Sequence, residues 1–575
     1  MRKNHLKRGM AVLLSAAMAA TMLAGCGGGD AETDANANND NNAEANNDNQ
    51  ADNDADADAA NDDVEDTSAA DNADAPAGDY TDYSAGFPEN VTIQIPVYDR
   101  AFEGWNVTDN YYTQWVQKEF GDKYNVTVEY VAIGRTTEVA DYMQMIAAGT
   151  APDIIMHYDM PQAVNYYGEG ALQPLDLDEI AYYAPTYYSK LADTIATYGS
   201  LDGQNMFFFA ERNAIYYNWV TLIRQDWLDQ VGAAMPTNLD ELEEVGRKWK
   251  EAGLGTLGAL LVQNSFTYMY PYFDDSISTE DYAKYLDLNV APFTWKPTED
   301  YLRRLNAQYN EGILDQNFYL KDEDAKWKAA FVAGEVGTYS FYINSSTDVI
   351  TSLLANDANA KVSVMDTGAG SPSGKAYYYE YPPYGMIMGI NSTTSDEERA
   401  AVWMFLDWMI QPENLTFFQN GPEGEAYELV DGVPTAKADY EGEAKRSQNN
   451  NKDYWCLVQE VVDLGDEELN YKANLATLAP AGYEDLIKAS YDYNVAQADN
   501  GIVTPIFTKV IAASSDNAEA LKADWKEFYV DCITCKPDEF DAKYAEHCQT
   551  YLDDGYQAIL DEKTAAFSAG DYIAN

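Results

Sequence analysis

Three short apolar strands separated by two helical stretches, all within residues 91–156, constrain this chain more than any other feature. Val91, Ile93, Ile95 and Val97 alternate with polar residues, the pattern of a strand with one buried face. Tyr111 to Phe120 carries Trp115, Val116 and Phe120 at helical spacing and meets Gly121, a residue suited to closing a helix. Val126, Val128 and Tyr130 form a second strand. Glu138 to Ala148 reads as a helix ending at Gly149, and Asp153 to Met156 as a short buried strand. This β-α-β-α-β order predicts an α/β fold with a mostly parallel, doubly wound sheet. Ligands of such sheets sit beyond the carboxyl ends of the strands, so the loops that follow each strand are the place to look for a site.

The chain starts with Arg2, Lys3, Lys7 and Arg8, then an apolar run from Gly9 to Gly25, the layout of a signal peptide over residues 1–25. That run is short and rich in small residues, a poor match to a membrane span. Leu23-Ala24-Gly25-Cys26 resembles a bacterial lipobox. The resemblance implies cleavage before Cys26 and a diacylglyceryl group on its sulfur, and two acyl chains anchor a protein stably. An ordinary secretory peptide is the alternative. Either way the chain is expected to work outside the cytoplasm, and with the lipid it would sit on the outer face of the cell membrane. Asp30 to Asp79 is Asp, Asn and Ala with no Lys or Arg, too polar to offset the entropy of ordering. Residues 26–85 are therefore expected to be the anchor and a disordered acidic linker, a coil spanning about 40 Å.

About 490 residues remain, enough for two or more domains. The chain's net charge is −60, and the signal segment holds basic but no acidic residues, so the mature chain is more acidic still. Such a surface excludes nucleic acid and anionic lipid head groups as partners. With 36 Lys and Arg in 575 residues, a polyanionic ligand would need a basic pocket, so a neutral or cationic ligand is favoured. The 45 Tyr and 11 Trp supply many flat apolar faces with polar rims. Cys532, Cys535, His547 and Cys548 invite comparison with a zinc site, but adjacent His and Cys do not both aim easily at one ion. A disulfide among the three cysteines is the other option, and an ordinary pair of helices a third. Neither a metal nor a cofactor is expected.

Further along, Tyr216 to Leu222 reads as a strand, and Asn238 with Glu241 fits a capping pattern for a helix whose apolar face is Leu239, Leu242, Val245 and Trp249, stopped by Gly253. Lys326 to Ala333 is a helix and Val336 to Phe341 a strand. Tyr384 to Ile390 is a strand. Thr394 and Glu397 are expected to cap an apolar helix ended by Pro412. From about Tyr440 the chain is mainly helical, with a strand near Val503 to Phe507.

These segments occur in a telling order: the lipobox, the acidic linker, the β-α-β start, Gly149-Thr-Ala-Pro-Asp-Ile-Ile155, Ile223-Arg-Gln-Asp-Trp-Leu228 with Pro236-Thr-Asn-Leu-Asp-Glu241, Gly334-Glu-Val-Gly337, and Gly389-Ile-Asn391 before a helix. Together they resemble the extracellular solute-binding proteins of carbohydrate ABC importers, of the maltose-binding type, in their larger lipoprotein branch. The resemblance spans roughly residues 88–570. It implies a two-lobed periplasmic-binding-protein-like fold (type II), each lobe a mixed, mostly parallel sheet flanked by helices, with an extended helical C-terminus. Lobe 1 would comprise 86–212 and 386–435, and lobe 2 would comprise 213–385 and 436–575. The crossings between them would lie near Asn213 to Thr221 and Tyr381 to Met388. It also implies that the lobes close on a carbohydrate, and that the protein works as a monomer and delivers its ligand to ABC permease subunits.

A sugar ring wants an aromatic plate on its C–H face and carboxylates, amides or Arg at its rim. After the first strand come Asp99 and Arg100, with Trp105 nearby; Asp99 and Arg100 are candidate hydroxyl partners, a surface ion pair being the plainer reading. After the third strand come His157, Tyr158 and Asp159, where the resemblance places an aromatic and an acidic residue. His157 has no His nearby to share a metal and is more plausibly structural. In lobe 2 the resemblance implies a stacking aromatic after Gly337: Tyr342 or Phe341, with Tyr339 beside them, or else plain core. Trp295 is a further candidate plate, and Tyr379 lies in an aromatic run just before the second crossing. Relatives that bind uronate oligomers carry a calcium-type loop of Asp, Asn and Gly, which the folded part of this sequence lacks.

Two other functions compete. A secreted glycosidase needs paired carboxylates, which 96 acidic residues supply everywhere without meaning. Neither a Gly-x-Ser-x-Gly elbow, a His-Glu-x-x-His helix nor a phosphate loop is present. A surface adhesin or peptide receptor could use the same scaffold.

Overall fold

In a computed structural model, residues 80–574 are described apart from 213–218, 259–271, 288–289, 322–323, 343–345, 366–376, 381, 438, 445–450, 479–481 and 497–500. The signal segment, Cys26 and the linker up to residue 79 lie outside the described residues, as does most of the first expected crossing; residues 80–85, expected in the disordered linker, are instead held, with the Tyr80 hydroxyl donating to Asp176 at 2.8 Å and Tyr83 stacked on Phe87.

The strands Val91–Asp99 and Val126–Gly134 run parallel, with Val91 opposite Val126 and Asp99 opposite Gly134. Ile93, Ile95 and Val97 are buried, as their alternation requires. The strand Ile154–His157 lies beside them: Asp153 N–H donates to Gln94 O at 3.0 Å, and Asp153 Oδ2 accepts from Gln94 N–H at 2.7 Å. The strand Tyr384–Asn391 returns from far along the chain and runs antiparallel to Ile154–His157 on one side and to Phe208–Glu211 on the other. The first two strands thus form a parallel pair, and the other strands form an antiparallel sheet beside it.

The helix Tyr111–Val116 does not stop at Gly121. It continues through a wider π turn, Gln117–Gly121, and ends at Asn125, whose φ of 55° is left-handed. The Gln117 side chain donates to Val126 O at 3.0 Å, fastening that turn to the second strand. The helix Glu138–Ala148 and its left-handed terminator Gly149 are as the sequence predicts. The later apolar helix is Asp396–Ile410, and its cap is Ser395 with Glu398, one residue beyond the expected pair. Thr394 is occupied elsewhere: its hydroxyl bonds Asp153 Oδ1 at 2.8 Å.

A second sheet has Trp219–Arg224 at its centre, antiparallel to Thr338–Tyr342 and to Val362–Met365. Its interior is aromatic, with Phe293, Trp295, Tyr301, Trp327 and Phe331 buried together with Leu521, Trp525 and Phe528 of the long helix Ala512–Thr534. A small adjoining cluster centres on Trp227 and Trp249. There a Cβ at Gly337 would lie 2.4 Å from the Trp249 ring, so only glycine lets the strand approach.

The two interiors mark two lobes. The first holds Phe87 to Ala210 and Tyr384 to Phe418, and also Ala444 and Tyr454 to Val458, which the sequence assigns to lobe 2. Tyr454 packs between Tyr112 and Tyr130, and this long-range contact moves the boundary beyond residue 435. The strand Gly501–Val503 pairs with Tyr378–Glu380, while Ile506–Phe507 pairs with Tyr572–Ile573 and packs on the first core. Among the described residues no helix is long and apolar enough to cross a membrane.

Candidate functional site

The first two strands end in register, so Tyr98-Asp99-Arg100 and Gly134-Arg135 emerge side by side, and Arg135 N–H donates to Asp99 O at 3.0 Å. The third strand ends beside them at His157, and Tyr158 and Asp159 lead into the helix Met160–Gly168. Three strand ends thus deliver one cluster, at the carboxyl edge where an α/β sheet offers room for a ligand.

Glu138, the first residue of its helix, is at the centre. It is buried, accepts from the Tyr98 hydroxyl, and pairs with Arg135 at 3.1 Å, while His157 Nε2 stands 3.7 Å away. The Arg135 guanidinium lies over two rings, 5.0 Å from the Tyr98 centroid and 5.5 Å from that of Tyr158. Those rings stack at 6.2 Å, 14° from parallel. Tyr98 is wholly buried and Tyr158 half-buried, so the stack runs from the core toward the surface. Arg100 grips Asp453 with two nitrogens, at 2.9 and 3.1 Å. Asp99 caps its own turn by accepting from Ala101 N–H at 2.8 Å and is exposed.

Burial dominates the titration of this cluster. It lifts the Glu138 carboxyl to about 7 against the pull of Arg135, and it raises Asp453 against the pull of Arg100. Burial also lowers His157 to about 4, so the ring is neutral, with Nδ1 accepting from Asp159 N–H at 2.9 Å. Each arginine of the cluster is thus matched to a buried carboxyl. Chemically the cluster offers an aromatic ring, oriented N–H groups and two partly accessible carboxylates, Asp99 and Asp159. That is equipment for binding hydroxyls; the turn occupies Nδ1 of the histidine, while its buried Nε2 makes no hydrogen bond among the described residues.

The structure brings Asp99, Arg100, His157, Tyr158 and Asp159 together. Trp105 lies nearby, half-buried against Tyr112 and Tyr454. The lobe-2 candidates fare differently. Trp295 is 7% exposed, stacked on Tyr285 at 5.2 Å and tilted against Phe273, and it starts the helix Lys296–Glu311. Tyr339 is 3% exposed and stacked on Phe331. Both serve as packing. The strands holding Phe341, Tyr342 and Tyr379 are described, but the side chains of these three lie outside the described residues. Sequence reasoning missed Arg135, Glu138 and Asp453. The first two carry a faint signal, a cation at a strand end followed by an acid opening the next helix. Asp453, about 350 residues from Arg100, carries none. Cys532, Cys535 and Cys548 are free thiols, and among the described residues no group of side chains could hold a metal ion.

The chain is 26% identical over 308 residues to the lipoprotein LipO of Bacillus subtilis (strain 168), a match that covers 49% of this chain and 60% of LipO. The fold superposes on the alginate-binding protein AlgQ2, in its form without calcium ion, with a TM-score of 0.60 at 17% identity, covering 85% of this chain and all of that one. It also superposes on an HMO-binding, ABC-transporter-associated solute-binding protein of Bifidobacterium longum infantis ATCC 15697, with a TM-score of 0.58 at 14% identity, covering 84% of this chain and 99% of that one. Both similarities are ones of fold. The model of one family, bacterial extracellular solute-binding protein, matches residues 115–420, more than half of the chain. With its two lobes and a polar cluster at the strand ends of the first, the chain belongs to the bacterial extracellular solute-binding proteins.

Proposed function

We propose that this protein is a membrane-anchored receptor that closes its lobes on a neutral carbohydrate, an oligosaccharide, and delivers it to an ABC permease without altering it. The observation that carries the reading is the cluster at the three strand ends. The half-buried ring of Tyr158 is a plate for the C–H face of a sugar, and Asp99 and Asp159 accept hydroxyl hydrogens at its rim. Arg135 and Arg100 orient and steady these loops from behind. Both guanidiniums are engaged by carboxyls of the chain itself, which compete with an acidic sugar for them. The chain's overall charge of −60 argues the same way. Phe341, Tyr342 and Tyr379 are the candidates for the opposing face. Cys26 carries the lipid, in keeping with the lipoprotein relative LipO, and the HMO-binding neighbour supports a permease as partner.

A thermal-shift screen against neutral and acidic oligosaccharides tests the reading, since a ligand that binds only the native state raises the melting point. Neutral oligosaccharides are expected to raise it and to be recovered intact. Shortened products would favour a glycan-active enzyme, and a response to peptides alone would favour a peptide receptor.

A further inference from the structure

Where strands leave the first lobe lies a buried ion pair that the binding cluster does not use. Arg212 follows the strand Phe208–Glu211, and the next described strand, Trp219–Arg224, already belongs to the second lobe. Its Nε donates to Glu460 Oε2 at 2.6 Å, and both side chains are 4% exposed. Glu460 is held by its backbone as well: its N–H donates to Glu211 O at 2.8 Å, while Glu211 N–H donates to Val458 O at 2.9 Å. Lys452 Nζ stands 3.8 Å from the other carboxylate oxygen.

The returning strand is tied to the same point. Arg212 N–H reaches Pro383 O at 3.4 Å, one residue before the strand Tyr384–Asn391. Within that strand Gly385 leaves the space that Glu460 fills. A Cβ there would lie 2.3 Å from Glu460 Oε2 and 2.7 Å from Glu460 Cβ. Burial alone would raise this carboxyl; Arg212 and Lys452 more than offset that and hold it below the usual range.

We propose that Glu460 is a positioning residue, which fastens the outgoing segment through Arg212 and seats over Gly385 of the returning one, so that the angle between the lobes of the empty receptor is set here and not by contact with solute. Hinges absorb their motion in a few element-terminal residues. A side chain seated against two of the crossing segments at their root limits which of those residues turn. The inference rests on the two-lobed fold alone and stands whatever the solute is.

The test needs no ligand. Spin labels at Lys123→Cys in the first lobe and Lys248→Cys in the second, both exposed, report the interlobe distance by pulsed electron resonance on the full chain. The unliganded protein is expected to give one narrow distribution. Gly385→Ala, Glu460→Gln and the paired apolar replacement Arg212→Met with Glu460→Leu are each expected to broaden it to about twice its width or to shift it by about 5 Å. Glu460→Gln removes the charge that faces the buried Arg212 guanidinium and risks unfolding. The paired replacement removes both charges and keeps the volume, so it decides the matter if the single variant fails to fold. Distributions for Gly385→Ala and the paired variant that superimpose on the wild type would overturn the clamp.

Discussion

The strand-end cluster of the first lobe and the interior of the second use aromatic residues in opposite ways. At the strand ends of the first, Tyr98 and Tyr158 stack beneath a guanidinium, next to carboxyls and a neutral histidine. In the second, Phe293 and Trp295 meet Trp525, Phe528 and Tyr285 in an interior held by area and ring geometry. An aromatic residue in this chain is therefore informative about function only where the backbone delivers it to a strand end with polar company. Abundance alone does not separate a plate from packing.

The sharpest way to break this contrast is truncation. Phe293→Ala removes a wholly buried ring that touches four other aromatic residues, and should cost about 3–5 kcal/mol in a denaturant titration. A loss near zero would mean that the second interior is loosely packed. Next is Asp453→Asn, which takes away the carboxylate that Arg100 grips with two nitrogens, at a cost of about 3 kcal/mol. Replacing both partners, Arg100→Met with Asp453→Leu, should recover most of it; failure to recover would show that the pair is not the source.

The pH dependence sharpens the contrast further. Glu138 titrates higher in the folded chain than in the unfolded one, so its contribution is full below the unfolded value near 4.5 and fades as pH rises through about 7. His157 titrates lower when folded, so its contribution is full above the unfolded value near 6.5 and is lost as pH falls toward about 4. The two oppose one another between those values. Glu138→Gln should therefore make stability fall more steeply from pH 6.5 to pH 5 than in the wild type, by about 1–2 kcal/mol over that span. Equal slopes would refute the assignment. A smaller effect belongs to Asn238, which caps the helix Leu239–Ala252 by accepting from Glu241 N–H at 3.0 Å. Asn238→Ala should cost about 1 kcal/mol and leave binding unchanged.

What was legible in the sequence was local. The strand Val91–Asp99, the helix Glu138–Ala148 with Gly149, and the Asn238 cap each follow from periodicity and capping chemistry over a few residues. The strand-end rule likewise singled out Asp99, Arg100, Tyr158 and Asp159. What escaped depends on distant partners. Ser395 replaces Thr394 as cap because Asp153, over 200 residues earlier, claims the threonine hydroxyl. Tyr454 joins the first lobe because Tyr112 and Tyr130 receive its ring. Trp295 reads as a plate in a Pro-bounded segment, and only the fold reveals Tyr285 stacked on it.

The central claim is that a neutral sugar rests on the strand ends of the first lobe. A structure of the protein soaked with the neutral oligosaccharide that most raises its melting point tests this directly. The account predicts a pyranose ring against Tyr158, with hydroxyls within hydrogen-bond reach of Asp99 or Asp159. A sugar bound elsewhere, with Tyr158 and both carboxylates untouched, would contradict it.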